Sequence, residues 1–220
     1  MVASYWDYCV RAPQPPEELS KMAASLGWSG ICILSEAAAQ EKKSGGGPQV
    51  MFGILLQPGK PGQVADMVRK AGKSHAMVAV VGTSDDVNRA AAETPGIALL
   101  LPGAETKIDV IMARLARENG MRIAFEFAPL LHTSLADRGK AFSQMLKNAQ
   151  AVRKERAPFV ISSGAASAFG LRSPSELSAL GRLLGFRDPQ IRDALGPQLA
   201  MEGGKRLSGK WVMRGVEVEE

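Results

Sequence analysis

The feature that most constrains this chain is a repeating alternation of short, β-prone apolar runs with stretches of helical periodicity. The runs fall at 4–10, 28–34, 50–56, 75–81, 96–101, 122–127 and 158–162, and helical patterns occupy 15–26, 61–71, 84–93, 107–119 and 134–155. Strands with so few polar interruptions are buried on both faces, as happens when βαβ crossovers lay helices over a parallel sheet. Seven such strands in one chain point towards a barrel. With 220 residues, 45% of them hydrophobic, the chain can bury a core of that size as one α/β domain, taken as 1–200. The remainder, 201–220, reads as a basic and then acidic C-terminal tail, a mobile arm able to order on a partner.

Local signals agree with these boundaries. Acidic Glu17 and Glu18 follow Pro15-Pro16 in the first turn of one helix and Gly27 follows its last, the polarity that suits the helix dipole and C-terminal capping. Asn119-Gly120 ends another helix, whose Ile108, Ile111, Met112, Leu115 and Ala116 are spaced as one buried stripe. Ser173-Pro174 with Glu176 forms a Ser-x-x-Glu capping box with proline at the first helical position. The polar, glycine-rich stretch QEKKSGGGPQ at 40–49 lacks the Gly-Lys-Ser/Thr ending of a phosphate loop and reads as a loop.

Charge is distributed unevenly. Residues 1–133 hold 13 Lys/Arg against 13 Asp/Glu, whereas 134–214 hold 14 against 6. A basic contiguous third is the electrostatic footprint of a nucleic-acid binder, although an arginine-rich solvated surface would read the same way. No apolar run approaches the roughly 18 residues of a membrane span, and the N-terminus lacks a signal-peptide layout, so the expected location is cytoplasmic and no membrane partner is expected. Cys9 and Cys32, each in an apolar run, are expected to be buried packing residues.

The stretch APFVISSGAASAFGLRSP at 157–174 delivers a strand end into a loop of hydroxyls, backbone N–H groups and one guanidinium, Arg172. In α/β proteins such ends hold ligands, and this one suits an anion. The small Ser-Ser-Gly-Ala cluster would also serve close packing. Neither histidine is set for nucleophilic catalysis: His75 opens an apolar strand and His132 lies in a loop past Glu126. Asp7 and Glu126 are available carboxylates, but the other ligands of a hydrolytic metal site are missing. Glu126, within FEF, should meet an arginine or hydrogen-bond donors, and its functional alternative is a general base. The candidates for contact with RNA phosphates are therefore basic: Arg89, Arg138, Lys140 and Arg172 near strand ends, and Lys205 and Arg206 in the tail, where Lys210 and Arg214 flank Trp211. In a parallel barrel the loops at 83–89, 131–138 and 162–172 would share one rim.

Taken together, the chain resembles the archaeal ribonuclease P protein component 3 family, related to the thirty-kilodalton subunit of the eukaryotic enzyme. VNRAAAE at 87–93, IDVIMARLARENGMRIAFEFAPLL at 108–131 and FVISSGAASAFGLRSPSELSALGRLLG at 159–185 carry the likeness, with YWDYCV and LGWSGICIL in matching order before them. The resemblance implies a TIM-barrel-like fold of the polymerase/histidinol-phosphatase type without metal ligands, since Tyr8-Cys9-Val10-Arg11 stands where a first histidine pair would fall. It also implies a protein subunit of ribonuclease P, assisting a catalytic RNA in removing 5′ leaders from precursor tRNA. The implied partners are the RNase P RNA, protein component 2 and other RNase P proteins. This chain would bind no cofactor, and Mg²⁺ would be used by the RNA subunit. The alternative is a metal-dependent phosphoesterase of the related barrel superfamily.

Overall fold

The computed structural model describes residues 4–36, 47–72, 74–207, 211–213 and 216–217. Seven strands pair in chain order, each parallel to the next: β1 (Trp6–Val10), β2 (Gly30–Ser35), β3 (Gln49–Leu56), β4 (Met77–Gly82), β5 (Leu99–Pro102), β6 (Arg122–Glu126) and β7 (Phe159–Ser162). The crossovers carry α1 (Pro16–Ser25), α2 (Val64–Ala71), α3 (Asp85–Glu93), α4 (Val110–Glu118), α5 (Ala128–His132) and α6 (Leu135–Glu155). After β7 come α7 (Pro174–Leu183), α8 (Asp188–Ala194), α9 (Gln198–Leu207) and a small antiparallel pair of strands, β8 (Trp211–Met213) with β9 (Val216–Glu217). Residues 40–46 of the glycine-rich stretch, and Lys210 and Arg214 of the tail, lie outside the described residues.

Side-chain alternation along the strands builds two apolar layers. Met77 and Ala79 join an inner cluster with Tyr8, Cys32, Leu34, Leu99 and Leu101, while Val78 and Val80 face the helices with Ile31, Leu100 and Ile123. This is the period of two that a sheet buried on both faces requires. Cys9 and Cys32 are both wholly buried. The result is a nearly closed barrel surrounded by helices.

The helix ends follow the capping chemistry of the sequence. Ser173 Oγ accepts from Glu176 N at 3.3 Å and the Glu176 carboxylate accepts from Ser173 N at 2.8 Å, completing the box ahead of α7. One expectation fails in α4: Met112 and Ala116 are buried, but Ile111 is 54% exposed. The helix starts only at Val110, after its Asp109 cap, so Ile108 packs from the preceding loop and does not set the phase of the stripe.

α9 is part of the barrel. Its Leu199 joins the inner cluster with Trp6, Met51 and Ala76, so the helix covers the end of the barrel where the strands begin. The approach is close enough that a Cβ on Gly203 would lie 2.9 Å from Ala76 O and 3.0 Å from Met51 Sδ. Residue 201, where the sequence reading starts a tail, therefore lies within a packed helix.

Candidate nucleic-acid interface

Parallel strands place the ends of β1, β6 and β7 at one corner of the rim, and the polar groups there are turned inward. β1 and β7 are the terminal strands of the sheet and are joined by side chains. Ser162 Oγ donates to Asp7 and accepts from Cys9 N at 2.9 Å, Ser163 N donates to Asp7 Oδ1 at 3.2 Å, and Arg11 N donates to Ala165 O at 2.8 Å. Asp7, Ser162 and Ser163 are all 0% exposed. Burial raises the Asp7 carboxyl above its ordinary value, against the lowering pull of the two serines. The anion-binding reading of these hydroxyls is thereby overturned, because they are buried and the Asp7 carboxyl already takes up the Ser162 hydroxyl and the Ser163 N–H.

Glu126 meets an arginine, as its apolar strand requires. Arg11 Nη2 lies 2.9 Å from Glu126 Oε1, with the carboxylate buried and the guanidinium partly exposed. Its partner comes from the loop after β1, which the sequence left unspecified. The two histidines stay apart from this corner: His75 Nδ1 is 3.0 Å from Ala71 O ahead of β4, and His132 ends α5 on the surface. Among the described residues no group of three or more His, Cys, Asp or Glu is placed to hold a metal ion.

The predicted basic contacts divide into three kinds. Arg138 and Lys140 are exposed in the first turns of α6, where Lys140 pairs loosely with Asp137 at 3.4 Å. Arg89 is paired with Asp109 at 3.1 Å, and Arg172 folds onto its own loop, donating to Leu171 O at 2.8 Å and Phe169 O at 3.0 Å while lying 5.8 Å from the Phe127 ring centroid. Arg206 donates to Gly72 O at 2.9 Å and Gly96 O at 3.2 Å, so it caps the end of α2 and pins α9, and burial lowers its pKa. Lys205 is exposed on α9. The loops after β6 and β7 do meet, through Ala128 N to Ser163 O at 2.9 Å, whereas Arg89 belongs to a different corner with the loop before α4.

The fold brings out further basic residues that lie outside the predicted contacts. α6 carries Lys147, Arg153 and Lys154 exposed along its length and ends at Arg156, also exposed. Their regular recurrence in a helix packed on one side was the available signal, since residues opposite the buried Asn148, Ala149 and Val152 must face out.

These features define a class of protein: a parallel βα barrel that carries exposed positive charge on outer helices and commits Asp7 of β1 and Glu126 of β6 to bonds within the fold. Comparison narrows the class. The family model for RNase P subunit p30 matches residues 4–206. Ribonuclease P protein component 3 of Methanosarcina mazei is 32% identical, with 98% of this chain and 96% of that protein covered. The Halobacterium salinarum protein of the same description is 30% identical over 90% of this chain and 89% of its own length. Among solved structures, a chain in the cryo-EM structure of archaeal ribonuclease P with mature tRNA superposes with a TM-score of 0.77 at 22% identity, covering 98% of both chains. The A. niger ochratoxinase shares the fold at a TM-score of 0.62 and 11% identity, covering 91% of this chain and 71% of that one. The chain belongs to the RNase P subunit p30 family and is a protein subunit of ribonuclease P, a component of a ribonuclease complex.

Proposed function

We propose that this subunit acts by binding and shaping the RNase P RNA, together with protein component 2, and that hydrolysis of precursor tRNA belongs to the RNA with its Mg²⁺. The observation that carries this reading is the division of charge: Asp7 and Glu126 are held by Ser162, Ser163 and Arg11, while Arg138, Lys140, Lys147 and Lys154 face solvent along one helix. Carboxylates committed to a seam and an ion pair are poorly placed to act as bases. A row of exposed cations suits a phosphate backbone, and each phosphate neutralised releases counterions. Arg138 and Lys140 are the predicted contacts best presented to RNA, and Lys205 is exposed on α9. Arg89, Arg172 and Arg206 act on RNA only at the expense of bonds they make within the fold. The exposed Leu135 and Phe169, 83% and 82% accessible, supply the apolar part of a face for component 2. The expected site of action is the cytoplasm.

Reconstituting precursor tRNA cleavage from the RNA and component 2, with and without this chain, tests the reading. Cleavage at low Mg²⁺ should rise on adding the chain, and its RNA affinity should fall steeply between about 50 and 200 mM salt. Equal cleavage in both mixtures, or salt-insensitive binding, would overturn it.

A further inference from the structure

The end of the barrel opposite the Asp7 corner holds a cleft of about 620 Å³ between the C-terminus of α6 and the turn joining α7 to α8. Arg122, Arg153, Arg156 and Arg187 line it, together with the Asp193 carboxylate and the Phe159 ring. Arg122 is already forked onto Glu202 at 2.8 and 2.9 Å, which leaves three exposed guanidinium groups. Phe159 is half-buried and stacks on Phe186 with centroids 3.9 Å apart. Guanidinium forks around an aromatic ring are the combination that holds phosphates and an unstacked base.

Two backbone features show that these arginines are positioned. Arg156 has φ 52° and ψ 36°, the left-handed conformation at the end of α6; every other positive-φ residue among those described is glycine. A non-glycine residue there is strained, and a helix would end more easily without its side chain. Gly185, at φ +81°, leaves the space into which Arg153 folds, and Arg153 Nη1 donates to its carbonyl at 3.1 Å. Gly185 also closes the end of α7, its N–H donating to Arg182 O at 2.9 Å, so the left-handed Arg156 is the feature that a merely solvated arginine does not need.

We infer that this cleft is a second RNA-binding site, taking a single-stranded or bulged phosphodiester segment at the face of the barrel opposite Arg138 and Lys140. The inference rests on the reading that the subunit contacts RNA, and it adds where and in what form. The choice of RNA over an acidic protein segment rests on the ring of Phe159 among the arginines, which offers a nucleobase a stacking partner.

The test measures binding of the full chain to an RNase P RNA transcript as a function of salt, alongside thermal melting. Arg156→Gly should melt no lower than the natural protein, since it relieves the left-handed strain, yet its log K against log salt slope should drop by about 0.7–0.9, one phosphate contact. Combining it with Arg153→Gln and Arg187→Gln should weaken binding about tenfold or more at roughly 0.15 M salt. Unchanged affinity and slope in these variants, with the natural chain still binding RNA and Arg138→Gln/Lys140→Gln impaired, would overturn the cleft and leave the function of the subunit standing. Intact RNA binding with lost retention of purified component 2 would overturn it in favour of a protein dock. Absence of RNA binding by the natural chain would overturn the broader reading as well.

Discussion

At the carboxyl end of the strands Ser162 and Ser163 are tied to Asp7 of β1 and Glu126 to Arg11, whereas at the amino end Arg156 and Arg187 are exposed, as is Arg153 even while bonded to the Gly185 carbonyl. Barrels of this kind ordinarily place chemistry at the first end and stability at the second. Here the buried polar groups of the first end hold the seam between β1 and β7, and a strained arginine lies at the second. The contrast teaches that position in a fold offers a site without filling it. What decides is whether the polar groups there have already been claimed by the protein.

The comparison breaks first if the Arg11–Glu126 pair proves dispensable. Glu126→Ala leaves a partly buried guanidinium without its counter-ion and should cost about 3 kcal/mol in denaturant unfolding. A loss below about 0.5 kcal/mol, the range of an ordinary surface pair, or a stable variant with abolished RNA cleavage, would return Glu126 to a functional role.

A smaller effect is expected at the seam. Asp7→Ala strands the Ser163 N–H and should cost about 1–3 kcal/mol at neutral pH. Because the folded value of Asp7 is raised, the proton-linked part of its contribution to stability is full below the unfolded carboxyl range and is lost as pH rises through the folded value. Asp7→Asn should flatten that part of the stability profile, and an unchanged profile would show that Asp7 is not the group responsible.

The smallest effect sharpens the contrast with an ordinary surface carboxylate. Hydrogen bonds from the backbone and side chain of Ser173 lower the pKa of Glu176, so its contribution is present above the unfolded value and lost as pH falls through the folded one. Glu176→Gln should remove about 0.5 kcal/mol at neutral pH and nothing once both states are protonated. Parallel stability curves for the two proteins across the acid limb would count against the capping box.

Much of this architecture was legible in the sequence, because the signals involved are local. Alternating apolar runs announced β1 to β7, and Ser173-Pro174-x-Glu176 announced α7 with its cap. Glu126 was recognisable as a carboxylate in need of a partner from its apolar neighbours alone. Arg11 was not recognisable as that partner, since the pair spans 115 residues of chain. The tail beginning at 201 misled for a similar reason: Glu202 is bound to Arg122 and Gly203 fits against Ala76, contacts that no local pattern encodes.

The sequence by itself determined the parallel α/β class, the places of α1 to α4 and α6, the cap of α7 and the basic third of the chain, because periodicity, capping and charge are properties of neighbouring residues. Tertiary structure alone decided which charges remained available. Closing the barrel brought Asp7 to Ser162 and Arg11 to Glu126, and it gathered Arg153, Arg156 and Arg187 about one cleft. Whether a polar group is spent or free depends on partners far away in sequence, and only the folded chain sets those distances.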